Sequence, residues 1–146
     1  MNVEKARFVL DSSVTLSWAF AEEQNPNALR AEQLLETEAA DAVVPALWWY
    51  EIRNVLLVGE RRGRITPART AIFLRQIADL PIQIAPPPDE TILLDLARQT
   101  KLTVYDASYL AIAIQENIPL ATLDDALSVA ASSLGVASLA RSDTRP

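Results

Sequence analysis

At 146 residues the chain has the length of a single domain and can bury a full hydrophobic core. Half of its residues are hydrophobic and 22% are charged, which is typical of globular proteins and excludes a disordered chain. It contains no histidine and no cysteine, which excludes disulfides, thiolate nucleophiles, Ser-His-Asp triads and the usual zinc ligand sets. The net charge of −6 argues against nucleic-acid binding through bulk basicity.

Nothing in the sequence indicates a membrane. No apolar run approaches the length of about 20 residues that a membrane span requires. The first residues include an acid and do not form a basic region followed by a long apolar core. We therefore expect a cytoplasmic protein without a membrane partner.

Short apolar runs alternate with amphipathic stretches along the whole chain. The predicted strands cover residues 3–10, 41–45, 82–84 and 119–123, with a further edge strand at 136–139. Helices are predicted over residues 14–20, 26–37, 46–62, 67–78, 90–100, 106–117 and 124–135. Several of them begin at a capping residue or a proline, and the third ends at Gly63. Strands alternating with helices indicate an α/β fold, a three-layer α/β/α sandwich with a central parallel sheet of four to five short strands. We expect residues 1–139 to form this domain and residues 140–146 to form a tail.

Three aspartates stand at the borders between these elements. Asp11 ends the first strand, and Asp106 and Asp124 each open a predicted helix. Aspartate is a good helix N-cap, so each of them has a purely structural explanation. In a parallel sheet, however, the carboxyl ends of the strands and the amino ends of the next helices share one edge. The three carboxylates are therefore expected to face one crevice.

Glu51 lies too far inside its predicted helix to cap it. Counted at helical spacing it shares a face with Leu47, Tyr50, Asn54, Val55 and Val58, so it would interrupt an apolar stripe. A buried carboxylate needs a partner, either a cation or an arginine such as Arg53, unless Glu51 is exposed. At 1.5 Å per residue Glu51 is only about 7.5 Å from the edge of the sheet that carries the aspartates.

Four carboxylates this close would repel one another unless divalent cations neutralise them. Mg²⁺ or Mn²⁺ is the hard ion that carboxylate and water ligands suit best. Asp125 is either a further member of the group or an acid favoured by the dipole of its helix. A site of this kind activates water for in-line attack on a phosphodiester without any histidine.

The ordered set of motifs resembles the PIN-domain ribonucleases, and in particular the VapC-type toxins of prokaryotic toxin–antitoxin pairs. The resemblance rests on four pieces in order: residues 9–13 (VLDSS), Glu51 followed by Asn54, residues 105–111 (YDASYLA) and residues 120–124 (LATLD). It implies that Asp11, Glu51, Asp106 and Asp124 are catalytic and hold Mg²⁺ or Mn²⁺. Polar support for these ligands is expected from Ser12, Ser13, Asn54, Thr122 and Asp125.

The same resemblance implies an endoribonuclease that cleaves structured RNA of the tRNA or rRNA class and so inhibits translation. It also implies a homodimer and a cognate antitoxin as partners. Two local features stay open: Arg61, Arg62 and Arg64 either bind RNA phosphates or are solvated helix-terminal charges, and Trp48 and Trp49 either form an interface or fill the core.

Two other functions compete with a nuclease. A receiver-like signalling domain also gathers acids and Mg²⁺ at strand ends, but it needs a lysine on a late strand, and the only lysines are Lys5 and Lys101. A catalytically silent PIN-like binding module is expected to lose site acids, whereas this chain keeps all four.

Overall fold

The computed structural model describes residues 5–139 of the chain. Within them it has four strands, β1 (Ala6–Leu10), β2 (Ala40–Val44), β3 (Ile82–Ile84) and β4 (Leu120–Ala121). The helices are α1 (Ser12–Ser17), α2 (Pro26–Glu36), α3 (Ala46–Arg61), α4 (Pro67–Ala78), α5 (Glu90–Thr100), α6 (Val104–Glu116) and α7 (Asp125–Ser133), with a 3₁₀ turn at Ala21–Glu23.

The strands form one parallel sheet in the order β3-β2-β1-β4. β1 is central, and Phe8, Val9 and Leu10 are all buried, so both faces of the sheet are covered. This confirms the predicted three-layer α/β/α class. The predicted edge strand at 136–139 is reduced to a single parallel bridge between Leu120 and Ser138. Residues 3 and 4 of the first predicted strand, and the predicted tail, lie outside the described residues.

Local capping chemistry sets several helix ends as predicted. The Thr66 hydroxyl accepts the backbone N–H of Arg69 ahead of α4, and Asp89 accepts that of Ile92 ahead of α5. After α3 the chain turns at Gly63, whose φ of +72° belongs to the left-handed region that glycine enters without strain. The Arg64 N–H then donates to the Gly59 carbonyl at 2.8 Å, which closes a Schellman motif.

Two predictions about helices are wrong. α6 begins at Val104 and is capped by Thr103, so Asp106 is the third residue of the helix and not its cap. The buried face of α3 is formed by Trp48, Ile52, Leu56 and Gly59, not by the predicted stripe. Trp48 therefore belongs to the core, whereas its neighbour Trp49 is exposed. Among residues 5–139 we find no helix with the length and apolarity of a membrane span.

Candidate active site

The order in which the chain adds strands to the sheet reverses between β1 and β4, although all strands stay parallel. The chain runs from β1 through β2 to β3 on one side, and then returns to place β4 on the other side of β1. Open α/β sheets form a crevice at the carboxyl ends of the two strands that flank such a reversal. Asp11 directly follows β1, and its backbone N–H donates to the Ala121 carbonyl of β4 at 3.0 Å. Asp124 follows β4 within the same edge.

Asp11 is a buried carboxylate with 5% of its surface exposed. It stands at the N-cap position of α1 but makes no side-chain capping bond, so capping does not explain it. Instead its Oδ2 accepts hydrogen bonds from Ser13 Oγ at 2.6 Å and from Thr122 Oγ1 at 2.7 Å. Burial raises the pKa of Asp11, the two hydroxyls lower it, and the charge of Asp124 raises it.

The two hydroxyls that hold Asp11 also join the loops after β1 and β4. Ser13 Oγ accepts the Leu123 N–H at 2.9 Å, and Thr122 Oγ1 accepts the Asp124 N–H at 3.0 Å. Each hydroxyl has one proton, which goes to Asp11, while its lone pairs take a backbone donor. Ser13 and Thr122 therefore have no proton left for each other, and both orient the Asp11 carboxylate.

Glu51 is held by Tyr109, a residue outside the set of predicted site residues. Tyr109 of α6 is fully buried, and its hydroxyl donates to Glu51 Oε1 at 2.6 Å. Burial, then the bond to Glu51, raises the pKa of Tyr109, so the phenol stays a donor. Tyr109 follows Asp106 by three residues and lies on the same side of α6, which is the spacing that could have revealed it.

The pKa of Glu51 is raised chiefly by burial, with further upward contributions from the charges of Asp11 and Asp106. The hydroxyls of Tyr109 and Ser12 lower it. Arg53 is not its partner: the Arg53 guanidinium donates to the Trp49 carbonyl at 3.0 Å and lies 3.6 Å from the centroid of the Trp49 ring. Glu51 is thus a half-buried carboxylate oriented by a neutral donor.

Asp106 and Asp124 complete the group. Burial raises the pKa of Asp106, and so do the charges of Asp124 and Asp11. Asp124 is exposed, and its Oδ1 accepts the Leu127 N–H at 2.9 Å, which caps α7. Capping is therefore a real role of Asp124, and it employs one of the two carboxylate oxygens.

The four acids act on one another electrostatically. Repulsion links Asp11 to Glu51 and Asp124, and it links Asp106 to all three of the others. Within residues 5–139 no lysine or arginine forms an ion pair with any of them. No three of the described carboxylates approach closely enough to share an ion as they stand. The chemistry of the donor set, which is all oxygen with no basic partner among the described residues, is the chemistry that suits a hard divalent cation.

The sequence matches the PIN domain family over residues 8–132, which is most of the chain. The chain belongs to the PIN domain family. No curated protein matches it. Its fold is similar to that of PAE2754 from Pyrobaculum aerophilum (22% identity, TM-score 0.68), with 86% of this chain and 79% of that one covered.

Two further solved structures share the fold of this PIN domain. One is VapC20 of Mycobacterium tuberculosis, described as a sarcin-ricin loop cleaving toxin (12% identity, TM-score 0.56, 84% of this chain and 94% of that one covered). The other is a toxin–antitoxin complex from Klebsiella pneumoniae (17% identity, TM-score 0.53, 80% and 85% covered). At these identities the likeness concerns the fold.

The remaining predicted site residues of the PIN domain lie at its surface. Asn54 and Asp125 are exposed, and their supporting role stays a prediction. Arg61 and Arg62 are exposed at the end of α3, about 15 Å along the helix axis from Glu51. Arg64 is paired with Glu22 at 2.6 Å and Glu23 at 2.5 Å, so acids of the chain itself offset its charge.

Proposed function

We propose that this PIN domain is a metal-dependent endoribonuclease that acts as the VapC-type toxin of a toxin–antitoxin pair. The observation that carries the proposal is the group of four carboxylates Asp11, Glu51, Asp106 and Asp124, in a fold of this family. Asp11 and Asp106 are each repelled by all three of the other acids. A structural group of acids would be expected to have arginine or lysine partners. The described part of the chain provides none for these four.

These four residues would hold Mg²⁺ or Mn²⁺. When bound, the ion supplies an activated water and neutralises charge that develops on the phosphate. The chain's own contribution is orientation. Ser13 and Thr122 fix the Asp11 carboxylate, Tyr109 fixes Glu51, and the cap bond to Leu127 fixes Asp124 while leaving its second oxygen available. Preorganised ligands of this kind lose little conformational freedom when an ion or substrate binds.

The substrate and partners in the proposal follow the structural neighbours. VapC20 is described as a toxin that cleaves the sarcin-ricin loop, which supports structured RNA of the rRNA or tRNA class and inhibition of translation. The Klebsiella neighbour is a toxin–antitoxin complex, which supports a cognate antitoxin as partner. A homodimer belongs to the same proposal.

The competing functions lack a supporting observation. A receiver-like domain needs a lysine on a late strand, but Lys5 precedes β1 and Lys101 ends α5 in a left-handed conformation. A silent PIN-like module would not need Asp11, Glu51 and Asp106, whose burial and repulsion from neighbouring acids disfavour their charged forms.

The direct test is RNA cleavage by the purified chain with Mg²⁺, Mn²⁺ or excess EDTA, using total tRNA and rRNA as substrates. Asp106→Asn keeps the shape of the side chain and removes its charge, so it should abolish cleavage while the fold is retained. Asp79→Asn changes an exposed aspartate at the end of α4 and is the matched control. Full cleavage in EDTA, or by the Asp106→Asn chain, would overturn the proposal.

A further inference from the structure

A cavity of about 420 Å³ lies along the outer edge of β4, between β4, α7 and residues 135–138. β4 is the last strand of the sheet on this side, and the pairing beyond it is a single parallel bridge between Leu120 and Ser138. The backbone N–H of Leu120 donates to the Ala137 carbonyl at 2.9 Å, which holds this segment against β4. The volume falls within the range of about 300 to 1,000 Å³ that is typical of pockets for small ligands.

A residue that holds the proposed catalytic acids also lines this cavity. Thr122 forms part of its wall, and the Thr122 hydroxyl donates to Asp11 Oδ2 at 2.7 Å and accepts the Asp124 N–H at 3.0 Å. On the α7 wall, Ser128 donates its backbone N–H to the Asp124 carbonyl at 2.9 Å. The cavity therefore adjoins two of the four acids through direct hydrogen bonds.

The lining of the cavity combines apolar surface with hydroxyl groups. Apolar surface comes from Leu120, Ala131 and Val136, and hydroxyls come from Ser128, Ser132 and Ser138. Within residues 5–139 none of these three serine hydroxyls has a hydrogen-bond partner, whereas the hydroxyl of Ser133 on the same helix donates to the Ala130 carbonyl at 2.8 Å. None of the described residues that line the cavity is charged. The cavity can therefore bind an uncharged group that has both an apolar face and polar atoms.

These properties match the nucleoside part of RNA and not its phosphate. A phosphate needs cations or charge-assisted donors, and in the proposed reaction it lies at the acids and their ion. A nucleobase is uncharged and planar, so it can lie against the apolar surface of the cavity. The ribose 2′-hydroxyl is both a donor and an acceptor, and so is a serine hydroxyl, so the two can pair in either direction.

We propose that this cavity holds the base and ribose of one nucleotide next to the phosphate that is cleaved. Ser128 and Ser132, one helical turn apart on the same side of α7, bind the 2′-hydroxyl edge of the ribose. The inference rests on the proposed ribonuclease function and adds to it a subsite that distinguishes RNA from DNA, because only RNA carries the 2′-hydroxyl.

The test is the binding of one short fluorescein-labelled single strand of mixed sequence, prepared once as RNA and once as DNA. The full chain carries Asp106→Asn so that the RNA stays intact. In this background Ser128→Ala and Ser132→Ala should each raise the Kd for RNA roughly 2- to 12-fold, the effect of losing one hydrogen bond, and leave the Kd for DNA unchanged. Ser132→Leu fills the cavity and should raise the Kd for RNA roughly tenfold or more. Ser133→Leu is the matched control, because Ser133 is exposed on the same helix and is not among the residues that line the cavity.

Three results would overturn the inference. One is a Kd for RNA that is the same in Ser132→Leu and in the parent. Another is equal weakening by Ser133→Leu. The third is equal weakening of RNA and DNA binding by the alanine variants, because the hydroxyls would then not recognise the ribose. If the chain with its four acids intact cleaves RNA and the serine variants bind RNA normally, the cavity subsite fails while the ribonuclease function stands. If the alanine variants lose the preference for RNA but the chain with its four acids cleaves none, the ribonuclease function fails while the binding site stands.

Discussion

Asp124 offers the sharpest test of the site, because its two roles predict different responses to one substitution. Its Oδ1 caps α7 through the Leu127 N–H at 2.9 Å, and its charge repels Asp11 and Asp106. Asparagine caps about as well as aspartate but carries no charge. Without metal, Asp124→Asn should therefore be as stable as the wild type or more stable. Asp124→Ala loses the cap and should cost about 1 kcal/mol.

Adding Mn²⁺ separates a ligand from a cap. A ligand that binds only the folded state at 100 times its Kd stabilises by about 2.7 kcal/mol. At about 2 to 4 °C per kcal/mol for a chain of this size, the wild-type Tm should rise by about 5 to 11 °C. If Asp124→Asn weakens binding a hundredfold, the same Mn²⁺ concentration contributes about 0.4 kcal/mol, or about 1 to 2 °C.

The measurement is thermal unfolding of the full chain at fixed Mn²⁺ concentration, followed by circular dichroism. Asp79→Asn, outside the site, should shift like the wild type. Equal Mn²⁺ shifts in the wild type and Asp124→Asn, or no shift in the wild type, would refute the assignment of Asp124 as a ligand and leave it as a cap.

Three further predictions concern two hydroxyls that orient the acids and the pH dependence that Asp11 causes. Tyr109→Phe removes the donor to Glu51 and should cost about 1.5 to 3 kcal/mol in urea unfolding, whereas Tyr105→Phe, with an exposed hydroxyl, should cost nothing measurable. Thr122→Val removes a donor to the buried Asp11 and should cost a similar amount in the same assay; wild-type stability would show that the hydroxyl does not support Asp11. The pKa of Asp11 is higher in the folded protein than in the unfolded chain. At pH values between these two pKa values the folded protein therefore binds more protons, and the free energy of unfolding falls as the pH rises. The metal-free Tm should therefore rise on acidification from neutral pH toward the ordinary carboxyl range near pH 4, and Asp11→Asn should flatten this rise in a pH series of melting curves.

Helix boundaries were predicted well where capping is local. Thr66 with Pro67, and Asp89, open their helices as their residue types require. The start of α6 was missed although Thr103 and Asp106 have the spacing of a capping box. Asp106 is itself a good N-cap type, and the valine and tyrosine between it and Thr103 have strand propensity, so the predicted start at Asp106 is too late.

The sequence by itself determined the α/β class and the order of the elements, because each depends on residues a few positions apart, such as strand runs and helix caps. It also predicted the four acids as candidates, because each stands next to a strand end or near the start of a helix. Only the tertiary structure decided how these parts meet. Apolar residues on α3 could form either of two buried faces, and in the folded protein the face that contains Trp48 and Ile52 is the buried one. The bond between Tyr109 and Glu51 joins residues 58 positions apart, and that between Thr122 and Asp11 joins residues 111 apart. Such contacts follow from strand order and helix docking, which no local pattern encodes.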